Sequence, residues 1–255
     1  MKKMLITGCN LIDKDFGGLK QGEITLIGGR PLMGKTMLAL QLALNVAKSG
    51  KKVLFISAQN TSVELKTRMI SLILSIPSQR LNELDLTDDE WELYKKTARA
   101  VNELPIHFCH ADTICLMREW CEDKGRLSAD MIIYDFLQMI HYNYTETRDG
   151  TSENTPVKYL KMLKKLDREY KAPMLVLTQL SRRLEKRKDK RPRITDIRVA
   201  NLSSDVYDQA ILIYRESYYS IDAPKDKAEL IGICEKQNFK KTYEVLWNYE
   251  RGFFE

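Results

Sequence analysis

The sequence predicts an α/β fold: a mainly parallel, twisted sheet flanked by helices, with antiparallel edge strands at the C-terminal end. Three observations carry this. Short β runs alternate with amphipathic helical stretches through the earlier part of the chain, the pattern of a parallel sheet with crossover helices. Three β runs then follow one another, Gln209–Tyr214, Leu230–Glu235 and Tyr243–Tyr249. Finally, Gly29-Arg30-Pro31-Leu32-Met33-Gly34-Lys35-Thr36 matches G-x-x-x-x-G-K-[ST] at each fixed position, between a strand and a helix, where that motif belongs.

The elements follow in order. Ile24–Gly28 is an apolar strand leading into the glycine-rich loop. A helix starts at Lys35, with Leu38, Leu42 and Val46 as its stripe. Lys52–Ser57 is a buried strand. Thr61 or Ser62 caps a helix with Val63, Leu65, Met69, Leu72 and Ile73 on its inner side. The capping-box pattern Thr87-Asp88-Asp89-Glu90 opens another helix, to about Asn102. Pro105–Cys109 is a short strand, Thr113–Lys124 a helix, and Met131–Asp135 a strand ending in an acid. His141–Thr155 is polar and read as a flexible loop. A helix with Tyr159, Leu160, Leu163, Leu166 and Tyr170 inward comes next, then the strand Pro173–Thr178 with Gln179 at its exit. There is no internal repeat or low-complexity linker, so residues 1–255 read as one domain.

The glycine-rich loop carries the chemistry. Its glycines let backbone wrap a phosphate, and successive N–H groups with the following helix N-terminus present positive dipole ends. Gly29, Arg30, Pro31, Met33, Gly34, Lys35, Thr36 and Met37 form the expected cradle, with Lys35 reaching the β/γ-phosphates and Thr36 binding Mg²⁺. In such sheets ligands lie at the carboxyl ends of the strands. Asp135 is there as the second Mg²⁺ ligand, and Gln179 as a γ-phosphate sensor or a plain surface amide. A hydrolase would want a carboxylate after the strand Lys52–Ser57, to deprotonate the attacking water. This chain has Gln59, a poor base.

Composition narrows the class. At 44% hydrophobic and 30% charged, the chain is ordinary for a globular protein, and no window offers the roughly 18 apolar residues of a membrane span. The apolar run at the N-terminus is too short for a signal peptide, so reduced cysteines in a cytoplasmic protein are expected. The five cysteines are scattered without C-x-x-C spacing, which argues against zinc. The net charge of +6 has a location. Nine basic and three acidic residues lie between Ser181 and Arg198, so this segment holds the whole excess. A basic loop on an otherwise neutral nucleotide-binding domain points to a polyanion, nucleic acid first, over a merely solvated loop.

With these residues in place, the chain resembles the ATPase domain of DnaB-type replicative helicases over nearly its whole length. The matching stretches are Thr7-Gly8, Gly29-Arg30-Pro31 to Gly34-Lys35-Thr36, Tyr134-Asp135-Phe136-Leu137-Gln138 and Gln179-Leu180-Ser181-Arg182. Asp189-Lys190-Arg191-Pro192, Asp196-Ile197-Arg198 and Lys236-Gln237 complete the set. The resemblance implies a RecA-like P-loop NTPase fold and a hexameric ring threading single-stranded DNA, driven by ATP at subunit interfaces. It implies that Asp135 is the Walker B acid and Gln179 the sensor. Loops around His141–Thr155 and Arg182–Asn201 would face DNA, with Arg182, Arg183, Arg187, Lys190 and Arg198 as contacts.

The departures bear on separate steps. The family places its catalytic glutamate where Gln59 stands, and its basic trans-acting finger where Asn238 stands. Lys236, Lys240 or Lys241 could substitute for the finger, and Glu64 could reach back toward the water. After Asp-Ile-Arg the chain reads Arg198-Val199-Ala200-Asn201, keeping the arginine but not the family's acid and glycine. The family's N-terminal domain and most or all of its linker helix are not in this sequence, which weakens the expected ring to a homo-hexamer or weaker oligomer. Loss of the base costs about 10²–10⁴-fold in water activation. Loss of an arginine finger costs about 10³–10⁵-fold in turnover. Phosphate binding needs neither. The expectation is a domain binding ATP, Mg²⁺ and single-stranded DNA in DNA replication, with replication proteins as partners and weak hydrolysis. The alternatives are a non-hydrolysing accessory protein that docks on a true helicase, and a phosphate-binding domain with no DNA role.

Overall fold

The structure is a computed structural model describing residues 4–110, 129–139, 156–197 and 205–254. A short antiparallel pair, β1 (Met4–Leu5) and β2 (Leu19–Lys20), brackets a π-helical turn at Leu11–Asp15. β3 (Ile24–Gly29) leads through the glycine-rich loop into α1 (Lys35–Lys48), and β4 (Val53–Ser57) follows. Then come α2 (Ser62–Leu74), α3 (Ser78–Glu83), α4 (Asp88–Glu103), β5 (Ile106–His110) and β6 (Met131–Asp135). α5 (Pro156–Tyr170) precedes β7 (Met174–Gln179). The chain ends with β8 (Gln209–Tyr214), β9 (Lys227–Cys234), β10 (Phe239–Asn248) and β11 (Phe253–Phe254).

The main sheet has nine strands in the order β11-β10-β9-β8-β3-β7-β6-β4-β5. The run from β8 to β5 is parallel, and β9, β10 and β11 extend it antiparallel, as the sequence predicts. Period-two alternation divides the parallel strands between two cores. Ile27, Phe55, Ile133 and Leu177 face the layer of α1 and α2. Leu26, Ile56, Tyr134 and Val176 face Tyr159, Leu160, Leu163 and Leu166 of α5. Covered on both sides, β3, β4 and β6 are buried end to end.

Local signals explain the boundaries. Thr61 is the cap of α2: its hydroxyl accepts from the Glu64 amide while the Glu64 carboxylate accepts from the Thr61 amide. Thr87 and Glu90 make the same capping box on α4. The inner face of α2 needs one correction. Leu65, Met69 and Ile70 are buried, but Val63 is 71% exposed and Ile73 37% exposed. Val63 precedes Leu65 by two positions, about 200° around the helix, and so faces away from it. The last two main strands start earlier than the sequence suggests, because hairpin pairing recruits the charged residues Lys227, Lys240 and Lys241 into the ladder. The expected helix Thr113–Lys124, the loop His141–Thr155, Arg198 and the stretch through Asn201 lie outside the described residues. Among the described residues, no helix is long and apolar enough to cross a membrane, and none form a cluster able to hold a metal through three His, Cys, Asp or Glu side chains.

Candidate functional site: a phosphate-binding loop beside a buried aspartate

Sheet register assembles the site. Gly29 at the end of β3 is paired with Gln179 of β7, and Ser57 of β4 is paired with Asp135 of β6. Residues distant in sequence therefore meet along one carboxyl edge, where α1 begins. A cavity of about 480 Å³ opens there, its wall including Pro31, Gly34, Lys35, Thr36, Met37, Gln59, Asn60, Asp135 and Gln179.

At the floor, Thr36 Oγ1 donates to Asp135 Oδ2 at 2.9 Å, and Asn60 Nδ2 approaches the same oxygen at 3.4 Å. Asp135 is 1% exposed, and burial raises its carboxyl above the usual carboxylate range, against the pull of Thr36 and Lys35. Lys35 Nζ rests on the carbonyl of Arg30 at 3.1 Å. Burial drives its ammonium down from 10.5 to about 8, with Asp135 opposing the fall. A half-buried cation and a buried acid, each held away from its ordinary titration range, face the same cavity. Both are relieved by a ligand carrying phosphate and a divalent cation, so the residues fit Mg²⁺-nucleotide.

Gly34 is the cap of α1 at φ 96°, and a Cβ there would lie 2.6 Å from Trp247 Cζ3. Only glycine fits, both for backbone conformation and for space. Other members of the expected cradle point elsewhere. The Met33 side chain is buried in the core, away from the cavity. The Arg30 guanidinium turns out of the cavity: its Nε donates to Glu185 Oε1 and its Nη1 to the Leu180 carbonyl, each at 2.8 Å. Of Arg30, it is the carbonyl that faces Lys35.

Gln59 lies in the cavity wall. Glu64 does not reach back: its carboxylate is held in the capping box at 2.7 Å from the Thr61 amide. The finger candidates sit at the opposite end of the sheet from the cavity. The turn between β9 and β10 is level with Ala210 at the start of β8. There Lys236 Nζ pairs with Asp208 Oδ1 at 2.7 Å, Asn238 occupies the turn at φ 48°, and Lys240 is exposed. Lys241 pairs with Asp15.

The basic segment divides in two. Arg182, Arg183, Lys186 and Lys188 are exposed. Arg187 is committed to the fold by a bidentate pair with Asp196 at 2.9 and 2.8 Å, and Arg191 by Glu229 at 2.7 Å. Lys190 lies 5.7 Å from the Tyr219 ring. Of the expected contacts, Arg187 has its guanidinium occupied by a carboxylate that is 6% exposed.

Three wall residues carried no local signal. Arg68 comes from α2 and adds positive potential at Asp135. Trp247 and Gly252 come from the C-terminal hairpin, with Arg215 stacked on the Trp247 ring at 4.3 Å and donating to the Leu32 carbonyl at 3.1 Å. They reach the loop only through sheet order, which no short sequence window reveals.

A glycine-rich loop at the carboxyl end of a central parallel strand, with an aspartate at a nearby strand exit, defines a P-loop nucleotide-binding domain of the RecA-like class. Comparison with known proteins narrows this to a family. The sequence model of the DnaB-like helicase C terminal domain matches residues 5–255, and the chain belongs to that family. Among curated relatives, the replicative DNA helicase DnaB of Geobacillus stearothermophilus is 29% identical, over 98% of this chain and 57% of that protein. The replicative DNA helicase DnaC of Bacillus subtilis is 28% identical, over 97% and 57%. A probable plasmid replicative DNA helicase of Chlamydia psittaci is 29% identical, over 89% and 50%. The chain thus spans about half the length of these relatives, 50–57%. A DnaB-like replicative helicase, solved in a study of its interactions with primase, superposes with a TM-score of 0.86 at 24% identity, covering 99% of this chain and 63% of that one. A second solved structure, of an isolated ATPase domain, superposes with a TM-score of 0.84 at 23% identity, covering 98% and 90%.

Proposed function

We propose that residues 1–255 act as one ATP-binding domain of replicative-helicase type, taking Mg-ATP at the glycine-rich loop and single-stranded DNA at the basic segment, with weak hydrolysis. The observation that carries this is the 2.9 Å bond from Thr36 to Asp135, which brings a hydroxyl and a carboxylate of the kind that hold Mg²⁺ together near Lys35. Bound Mg-ATP would supply the transferable phosphoryl group and the charge these side chains neutralise. Lys35 and the amides at the start of α1 hold phosphate oxygens, Thr36 and Asp135 hold the metal, and Gln179 reads the γ-phosphate end. Gln59 orients water but does not accept its proton. Arg182, Arg183, Lys186 and Lys188 supply backbone contacts to DNA, which makes binding steeply salt-dependent. Family membership supports reading the domain as a homo-oligomer that works with replication proteins in a cytoplasmic setting. A finger in trans would fall to Lys236 or Lys240, and Lys236 must first leave Asp208.

A second reading, a non-hydrolysing nucleotide-gated accessory protein, is favoured by one observation. Asp135 is the one carboxylate among the described residues lining the cavity, and Glu64 is tied to Thr61. Calorimetry with Mg-ATP and a salt titration of oligo-dT binding test the shared core of both readings. Saturable ATP binding lost in Lys35→Ala, with DNA affinity that falls steeply with salt, supports it. Absence of nucleotide binding, or DNA affinity indifferent to salt, refutes it.

A further inference from the structure

We propose that Arg30 and Glu185 form a strut that couples occupancy of the phosphate loop to the basic segment, making both positioning residues. The inference rests on the ATP- and DNA-binding reading above and deepens it.

Arg30 contacts both sides of the coupling. Its carbonyl accepts from Lys35 Nζ at 3.1 Å, so the cation meant for phosphate rests on it. Its side chain, 6% exposed, holds Glu185 Oε1 and the Leu180 carbonyl at 2.8 Å each. One residue thus binds the phosphate-facing lysine on one side and the exit of β7 on the other. An arginine in a phosphate loop has an obvious use, aiming its guanidinium at the anion; this one is turned the opposite way and neutralised by a carboxylate. The planar fork can serve a carboxylate and a carbonyl together, which the single ammonium of a lysine does poorly.

What Arg30 holds is a closed unit. The Ser181 amide donates to the Asp196 carbonyl at 2.7 Å, and Leu180 bridges Ile197. Arg187 spans the interior, bonding Asp196 through both oxygens and the Arg191 carbonyl at 2.7 Å. Leu184, Pro192 and Ile197 are buried beneath it. Its far end is fixed to β9 by Arg191 on Glu229. A segment tied internally and pinned at two places moves as a body when one pin shifts. The exposed Arg182, Arg183, Lys186 and Lys188 ride on it. A phosphate that draws Lys35 off the Arg30 carbonyl changes the load on the near pin.

The test is linkage in the full chain. Affinity for fluorescent oligo-dT is measured with and without a non-hydrolysable ATP analogue and Mg²⁺, in the parent and in Glu185→Gln. Thermal unfolding confirms that the variant is folded. The parent should show a shift in DNA affinity of about fivefold or more, with DNA shifting analogue affinity by the same factor. Glu185→Gln should bring that factor close to one while affinity for the analogue alone changes little. Arg30→Lys provides a second variant expected to lose the coupling factor. A purely structural role would lower the melting temperature and leave the factor intact, which overturns the proposal. A parent that binds both ligands with no mutual effect also overturns it, leaving the binding function standing. A parent that binds neither overturns the function on which the strut rests.

Discussion

The packing of the C-terminal hairpin against the phosphate loop makes Gly34→Ala a quantitative test of how the site is built. Gly34 has φ 96°, a left-handed conformation that costs alanine about 1–2 kcal/mol. Its added Cβ would also meet Trp247 Cζ3 at 2.6 Å, Trp247 Cη2 at 2.8 Å and Phe254 Cε2 at 3.1 Å. Those rings are packed edge-on at 4.8 Å and are nearly buried, so they yield poorly, and overpacking of this kind costs about 1–3 kcal/mol. Together the penalty is about 2–5 kcal/mol, out of a typical total of about 5–15. The two parts separate in a double-mutant cycle with Trp247→Leu, read by urea denaturation. Removing the indole should recover the steric part of the Gly34→Ala cost and leave the backbone part. The reasoning is refuted if Gly34→Ala costs the same in both backgrounds, for then Trp247 does not press on the loop.

Two further outcomes concern charge. Lys35 has an ordinary value of 10.5 in the unfolded chain and about 8 in the folded one, so the unfolded state binds more protons between those values. Its contribution therefore penalises folding below pH 8 and is relieved as pH rises toward 10, by about 3 kcal/mol in all; the stability of the parent relative to Lys35→Met should climb across that window. For the same reason Mg-ATP binding near pH 8.5 should take up protons, seen as a buffer-dependent binding enthalpy, and an enthalpy independent of buffer would contradict this. In the basic segment, Arg182→Glu with Arg183→Glu should weaken oligo-dT binding and flatten its salt slope by about 0.7 per lost phosphate contact. Arg187→Ala should leave the slope unchanged and lower stability by about 1–3 kcal/mol, because it strips Asp196 of its partner.

What could be read from the sequence was what short-range chemistry controls. The glycine-rich loop, the Thr61 and Thr87 caps, the all-apolar β6 ending in Asp135 and the late antiparallel strands each depend on residues near in sequence. The orientation of side chains across the sheet did not show. Arg30 belongs to the expected cradle by its place in the loop, but nothing near it in sequence tells that its guanidinium pairs with Glu185, 155 positions away. Arg187 counted as one of nine positive charges, although Asp196 consumes it. Trp247 gave no functional signal because it reaches Gly34 only after β9 and β10 have extended the sheet beyond β8. Glu64 offered a replacement base by proximity alone; its capping bonds show the other demand on that carboxylate.

On the function proposed above, this P-loop domain keeps nucleotide binding without a competent general base. ATP turnover of the parent, Lys35→Ala and Gln59→Glu, each with and without single-stranded DNA, tests that most directly. Turnover in the parent should be weak, close to that of Lys35→Ala, and should rise by about 10²-fold or more in Gln59→Glu. Rapid, DNA-stimulated turnover in the parent, with Gln59→Glu no faster, would contradict it.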